Sequence, residues 1–120
     1  MVSIWLPPLA LMALIFALSG LPNDDPDRGL LHLLARKVAH FSEYALLVAL
    51  WWRALRTRLP DRRAVGAAVV VGVAYACTDE LHQTFVSGRV GAPTDVLIDS
   101  AGALTAAALI ASRLRRPVRA

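Results

Sequence analysis

The sequence has few of the features that mark soluble enzymes. It contains one cysteine, Cys77, which excludes an intramolecular disulfide and leaves the redox compartment unassigned. It has no glycine-rich phosphate loop, no H-E-x-x-H zinc signature, and no serine or cysteine beside an evident activating base. Charged residues make up only 18% of the chain, and the loops between its apolar segments are too short to hold a soluble domain. No compact catalytic signature is therefore present.

Apolar residues are abundant instead. They form 57% of the 120 residues, above the usual share in a soluble domain, and the mean hydropathy is +0.53. A helix that crosses hydrocarbon needs about 20 mostly apolar residues. The sequence therefore predicts a single all-α domain, residues 1–120, that is an integral membrane bundle of four transmembrane helices at about residues 4–21, 33–55, 64–84 and 94–112. The first segment lacks the basic n-region of a signal peptide, which predicts a retained helix.

Basic residues are distributed unequally between the two sides of this bundle. The second loop and the C-terminal tail carry nine cations, whereas the opposite side carries four, namely Arg28, Arg36, Lys37 and Arg89. Because short loops rich in Lys and Arg stay in the cytoplasm, the sequence predicts a multi-pass protein of the cell membrane with cytoplasmic N- and C-termini. The same rule accounts for the net charge of +4, so nucleic acid is not predicted as a partner.

Polar residues inside the predicted helices gather toward the extracytoplasmic side. On the second helix, Lys37, His40 and Tyr44 share a face at 100° per residue, and Glu43 lies beside it. The third and fourth helices carry similar polar stripes near the same level of the membrane. The complete set of candidate binding residues is Lys37, His40, Glu43, Tyr44, Asp79, Glu80, His82, Gln83, Arg89, Asp95 and Asp99.

Two of these carboxylates lie deep enough to need partners. A rise of 1.5 Å per residue puts Glu43 and Asp99 below the surface ends of their helices, in or near hydrocarbon. A carboxylate exposed to lipid there costs on the order of 2.5–3.5 kcal/mol. The polar stripes are therefore expected to converge, with Lys37 and Arg89 as counter-ions and the first helix packed peripherally. The alternative is capping and ion pairing at a wet interface, which Asp95 at the start of its helix would fit.

The residue types allow two kinds of chemistry. A divalent metal would offset the excess of acid, and its candidate ligands are His40, Glu43, Asp79, His82 and Asp99. Acid–base work by the same carboxylates and histidines needs no metal. The spacing of these residues does not distinguish metal-assisted from metal-free chemistry, so the sequence does not decide whether a metal cofactor is bound.

Three stretches resemble conserved blocks of the VanZ-like family. They are residues 37–44, residues 75–89 and residues 95–102, and the last two together read DELHQ-x-F-x-x-GR-x5-D-x3-D-x2-G. Ser87 stands where family members often have proline before the Gly-Arg pair. The resemblance implies a bacterial cell-envelope membrane protein. The family is named for a small membrane protein that raises tolerance to teicoplanin, an antibiotic with a lipid tail.

Two functions remain open from the sequence. In the first, a non-enzymatic envelope protein binds a lipid headgroup, a cell-wall precursor or a lipoglycopeptide in an outward-facing polar pocket. In the second, a membrane-interface enzyme, with or without metal, modifies an envelope lipid headgroup. An ion path is disfavoured because the cytoplasmic halves of the predicted spans hold only Thr57, Thr105 and Ser112 as scattered hydroxyl groups.

Overall fold

The described part of the chain forms four helices. The structure is a computed structural model that describes residues 2–19, 29–85 and 93–115. The helices are α1 (Val2–Ser19), α2 (Leu30–Leu55), α3 (Asp61–Gln83) and α4 (Pro93–Arg115). No strand occurs within the described ranges, so the predicted all-α class is confirmed.

Proline and glycine set the starts of the two central helices. Gly29 precedes α2 with φ +88°, a backbone conformation that costs glycine little and other residues more. Pro60 precedes α3 with an extended ψ of 146°, so α3 begins at Asp61 rather than at residue 64. Only residues 56–60 join α2 to α3, and a connection this short makes the two helices antiparallel neighbours.

Helix α2 lies at the centre of the bundle. It contacts the other three helices, and its contact with α4 is the most extensive. Helix α1 packs against α2 and α3, where Trp5 meets Trp51 edge to face at a centroid distance of 6.3 Å. Within the described residues α1 makes no contact with α4. The bundle is therefore a three-helix unit of α2, α3 and α4 with α1 against one side.

Small residues bring the helices of this unit close together. The buried face of α3 is formed by Ala64, Ala68, Gly72, Ala76, Asp79 and Gln83. A Cβ at Gly72 would lie 3.0 Å from Val48 Cγ2, and a Cβ at Gly102 would lie 2.2 Å from the carbonyl oxygen of Phe41. Gly66 is different, because a Cβ there would meet nothing within 4 Å.

Two helices are long and apolar enough to cross a membrane. They are Asp61–Gln83 and Asp95–Arg115, with mean hydropathies of 1.5 and 1.4 over their most apolar windows. Only 28% and 22% of those windows are buried, whereas a core helix of a soluble protein would be mostly covered. The apolar part of α1, Ser3–Ser19, is shorter, and α2 carries four ionisable residues within eight positions, Arg36, Lys37, His40 and Glu43. The prediction of four spans is thus supported for two helices.

Candidate functional site

A row of polar contacts joins α2 to α4. His40 Nδ1 lies 3.2 Å from Asp99 Oδ1, and one turn nearer the helix starts Lys37 Nζ lies 3.5 Å from Asp95 Oδ1. Asp99 is only 2% exposed, whereas Lys37 and Asp95 are partly open to the surface. Residue numbers rise together along both helices, so α2 and α4 run parallel. This alignment places each basic group of α2 opposite a carboxylate of α4.

A second polar group joins α1 to α3 around Asp79. This carboxylate is 1% exposed and accepts hydrogen bonds from Ser19 Oγ at 2.5 Å and from Gln83 Nε2 at 3.2 Å. Ser19 Oγ also lies 3.4 Å from His82 Nδ1. The His82 ring stacks on Phe16 with a centroid distance of 4.0 Å. Asp79 is therefore a fully enclosed acceptor whose donors come from two helices.

Tyr44 and Glu43 lie between these two polar groups. The carboxylates of Glu43, Asp79 and Asp99 are close enough to repel one another, and all three act electrostatically on Tyr44. The Tyr44 side chain is completely buried, and its hydroxyl has no hydrogen-bond partner among the residues that the structure describes. The neighbouring Tyr75 hydroxyl instead donates to the carbonyl oxygen of Met12 in α1. The polar stripes of α2, α3 and α4 thus meet in one region of the bundle.

A pocket of about 150 Å³ opens beside this region, between α1 and α2. It is lined by Ile15, Leu18, Ser19, Arg36, Ala39, His40 and Glu43. Within the described residues neither Arg36 nor Glu43 makes a hydrogen bond or an ion pair, although Glu43 interacts electrostatically with His40. The pocket therefore offers one cation and one carboxylate that are not committed to direct partners.

The comparison with family models gives one match. The model of the VanZ/LLP1 family matches residues 4–115, which is nearly the whole chain. The chain belongs to the VanZ/LLP1 family. Searches of curated proteins and of solved structures found no match.

The structure brings most of the predicted site residues of this VanZ/LLP1 chain together. Lys37, His40, Asp95 and Asp99 pair across α2 and α4, and Asp79, His82 and Gln83 form the group around Ser19. Glu43 lines the pocket, Tyr44 is buried in the core, and Glu80 is half-buried on α3. Arg89, expected as a counter-ion, lies outside the described residues.

Two pocket residues of the VanZ/LLP1 chain were not among the predicted candidates. Ser19 ends α1, which was expected to pack peripherally, yet it supplies a hydrogen bond to Asp79. Arg36 was counted among the basic residues that predict the topology and not among the candidate binding residues, although it lines the pocket one turn before His40. The signal for Ser19 was its place as the last polar residue of an otherwise apolar helix.

The five predicted metal ligands are divided between different contacts. His40 pairs with Asp99, Asp79 and His82 meet through Ser19, and Glu43 faces the pocket. Among the residues that the structure describes, no group of three or more His, Cys, Asp or Glu side chains is arranged to hold a metal ion.

The group of Ser19, His82 and Asp79 contains the residue types of a hydrolytic triad but not its connections. In such a triad histidine takes the serine proton while the acid holds the other ring nitrogen. Here the carboxylate of Asp79 accepts from Ser19 itself, and Ser19 is only 4% exposed. The geometry therefore gives no support to nucleophilic catalysis by Ser19.

Proposed function

We propose that this VanZ/LLP1 protein spans the bacterial cell membrane four times, with cytoplasmic termini, and binds a polar lipid headgroup in the pocket between α1 and α2. The headgroup would carry an anionic group for Arg36 and a hydrogen-bond donor for Glu43. The observation that carries the proposal is the uncommitted pair of opposite charges in that pocket. Arg36 and Glu43 are separated by roughly 10 Å along the axis of α2, and within the described residues they form no ion pair with each other.

The size of the pocket limits what it can hold. A volume of about 150 Å³ corresponds to about five water molecules in the liquid, whereas pockets for drug-sized ligands have roughly 300–1,000 Å³. A phosphate with a short polar substituent fits such a space, and a whole glycopeptide does not. A lipid headgroup or the phosphate end of a lipid-linked cell-wall precursor is therefore the better match. Any effect on lipoglycopeptide tolerance would follow from binding one of these lipids.

The apolar wall of the pocket favours a ligand with acyl chains. Ile15, Leu18 and Ala39 are the apolar residues that line it. Leu18 is 44% exposed and Ala39 is also exposed, so this wall continues onto the outer surface of the bundle. An acyl chain can leave the pocket along this surface, where other large apolar side chains such as Leu14 are exposed as well.

The test compares three short-chain lipids that share a phosphate and differ in their donors. Purified protein in detergent is titrated with dihexanoyl phosphatidylethanolamine, phosphatidylglycerol and phosphatidylcholine by isothermal titration calorimetry. The ethanolamine and glycerol headgroups should bind more tightly than choline, which has no donor for Glu43. Arg36→Gln should weaken all three by about tenfold or more, because a hydrogen bond to a charged group contributes about 1.5–3 kcal/mol.

Glu43→Gln tests the contact with the hydrogen-bond donor of the headgroup separately from the contact with its phosphate. It should reduce the preference for the ethanolamine and glycerol headgroups over choline. It should leave the free energy of unfolding unchanged, because Glu43 makes no hydrogen bond within the described residues. The matched control for Arg36→Gln is Arg53→Gln, which removes one positive charge from an exposed site at the far end of α2. Equal affinity for all three lipids in the unaltered protein, or equal losses in Arg36→Gln and Arg53→Gln, would contradict the proposal.

The proposed topology is tested separately by cysteine labelling. Cys77 is exposed and is first replaced by alanine, after which single cysteines are introduced at Asn23, Ser87 and Thr57. A membrane-impermeant thiol reagent added to intact cells should label positions 23 and 87 and spare position 57, because the nine-to-four distribution of cations holds the basic loop inside. Labelling at position 57 alone would reverse the orientation.

A further inference from the structure

A second recess lies at the other end of the bundle. It has about 140 Å³ and is lined by Arg62, Val65, Ala111, Leu114 and Arg115, where α3 begins and α4 ends. Along α3 the recess is roughly 25 Å from Asp79, so it is separate from the pocket between α1 and α2. None of the residues that line this recess lines the pocket between α1 and α2.

The charge of this recess is uncompensated. Arg62 and Arg115 are exposed, and within the described residues neither has a hydrogen bond or an ion pair. The one described acid at this end, Asp61, lies 3.4 Å from Arg56 and is partly neutralised by it. Two guanidinium groups therefore border one small cavity with no carboxylate of their own.

The rest of the recess is apolar. Val65, Ala111 and Leu114 supply its remaining surface. Leu114 is 36% exposed, and Leu104 and Leu109 of α4 are exposed as well. Guanidinium groups bind phosphate with parallel hydrogen bonds, and an apolar wall next to them suits the first carbons of an acyl chain. Inorganic phosphate would use only the charged half of this surface, whereas an acidic phospholipid would use both halves.

We propose that the recess between the start of α3 and the end of α4 binds the phosphate of an acidic phospholipid of the surrounding bilayer. Arg62 and Arg115 hold the phosphate, and the apolar wall orients the acyl chains along α4. Basic pockets between transmembrane helices are a recognised form of lipid site.

Native mass spectrometry of the purified full chain tests this site. The protein in detergent is mixed with phosphatidylglycerol or with phosphatidylcholine, and the lipid that stays bound is counted. Phosphatidylglycerol should be retained in preference to phosphatidylcholine. Each of Arg62→Gln and Arg115→Gln should lower its retention about fivefold, the usual effect of one basic residue near an anionic lipid surface. An excess of inorganic phosphate should displace little of it, because phosphate does not contact the apolar wall.

The matched control is the double variant Arg53→Gln/Arg58→Gln. It removes the same charge from exposed positions at the same end of the bundle that do not line the recess. The control should keep phosphatidylglycerol at the level of the unaltered protein, and Arg62→Gln/Arg115→Gln should lose it. Equal losses in both double variants would mean general electrostatic attraction and overturn the site, as would full displacement by inorganic phosphate. If the glutamine variant does not fold, Arg62→Lys/Arg115→Lys decides instead. It keeps the charge but not the parallel hydrogen bonds, so it should retain less phosphatidylglycerol than the unaltered protein, and equal retention would overturn the site.

Discussion

Gly102→Ala is expected to lower the free energy of unfolding by about 3 kcal/mol, because the new Cβ has no space. It would lie 2.2 Å from the carbonyl oxygen of Phe41 and 3.0 Å from the carbonyl carbon. These are backbone atoms of α2, so relief requires α2 and α4 to move apart. The movement would also separate His40 from Asp99, which lies one turn before Gly102. Thermal unfolding in detergent, followed by circular dichroism, measures the loss.

Gly66→Ala is the matched control for this prediction. Gly66 lies in α3 with nothing within 4 Å of an added Cβ, so alanine should raise stability by roughly 0.5–1 kcal/mol through the usual helix preference. The two substitutions make the same chemical change in two helices and should have opposite effects. Equal unfolding temperatures for both variants would show that the close approach of α2 and α4 at Gly102 is not required.

Asp79→Ala is expected to cost about 3 kcal/mol, from the cavity it leaves and from the buried donors that lose their acceptor. Ser19 can turn its hydroxyl toward the carbonyl oxygen of Phe16, which is 3.1 Å away. Gln83 is 3% exposed, and the only hydrogen bond of its side chain within the described residues is the one from Nε2 to Asp79. Most of the polar cost therefore falls on the amide of Gln83. The same thermal unfolding measurement applies.

Asp79→Asn should recover most of this loss and remain within about 1 kcal/mol of the unaltered protein. The asparagine oxygen can accept from Gln83, and its amide can donate to Ser19 Oγ once that hydroxyl donates to Phe16. Glu43→Gln should be neutral by the same measurement. An asparagine variant as unstable as the alanine variant would mean that the negative charge of Asp79, rather than its acceptor geometry, stabilises the fold.

Part of the candidate site could be predicted from the sequence because helix geometry alone determines it. Lys37 and His40 share a face of α2, and Asp95 and Asp99 share a face of α4, at spacings that follow from 100° per residue. The cost of leaving a deep carboxylate in lipid then predicts that the faces meet. His40 and Asp99 are 3.2 Å apart in the structure.

The different roles of the carboxylates could not be predicted in the same way. Glu43 and Asp79 have the same chemistry, and both belong to polar stripes of the sequence-based bundle. In the structure Asp79 is enclosed by donors from α1 and α3, whereas Glu43 faces a pocket and has no hydrogen bond to any described residue. Enclosure depends on which neighbouring helix covers each face, and helical spacing carries no information on that. The contribution of α1 through Ser19 was missed for this reason.

By itself the sequence determined the all-α class, the positions of the apolar segments and membership of the VanZ/LLP1 family. These properties depend on composition and local spacing, which are read along one chain. Only the tertiary structure decided that α2 and α4 meet at Gly102, that Asp79 is enclosed, and that cavities lie beside Arg36 and Arg62. These properties depend on the rotation and axial shift of one helix against another, which are set by the packing of many side chains at once.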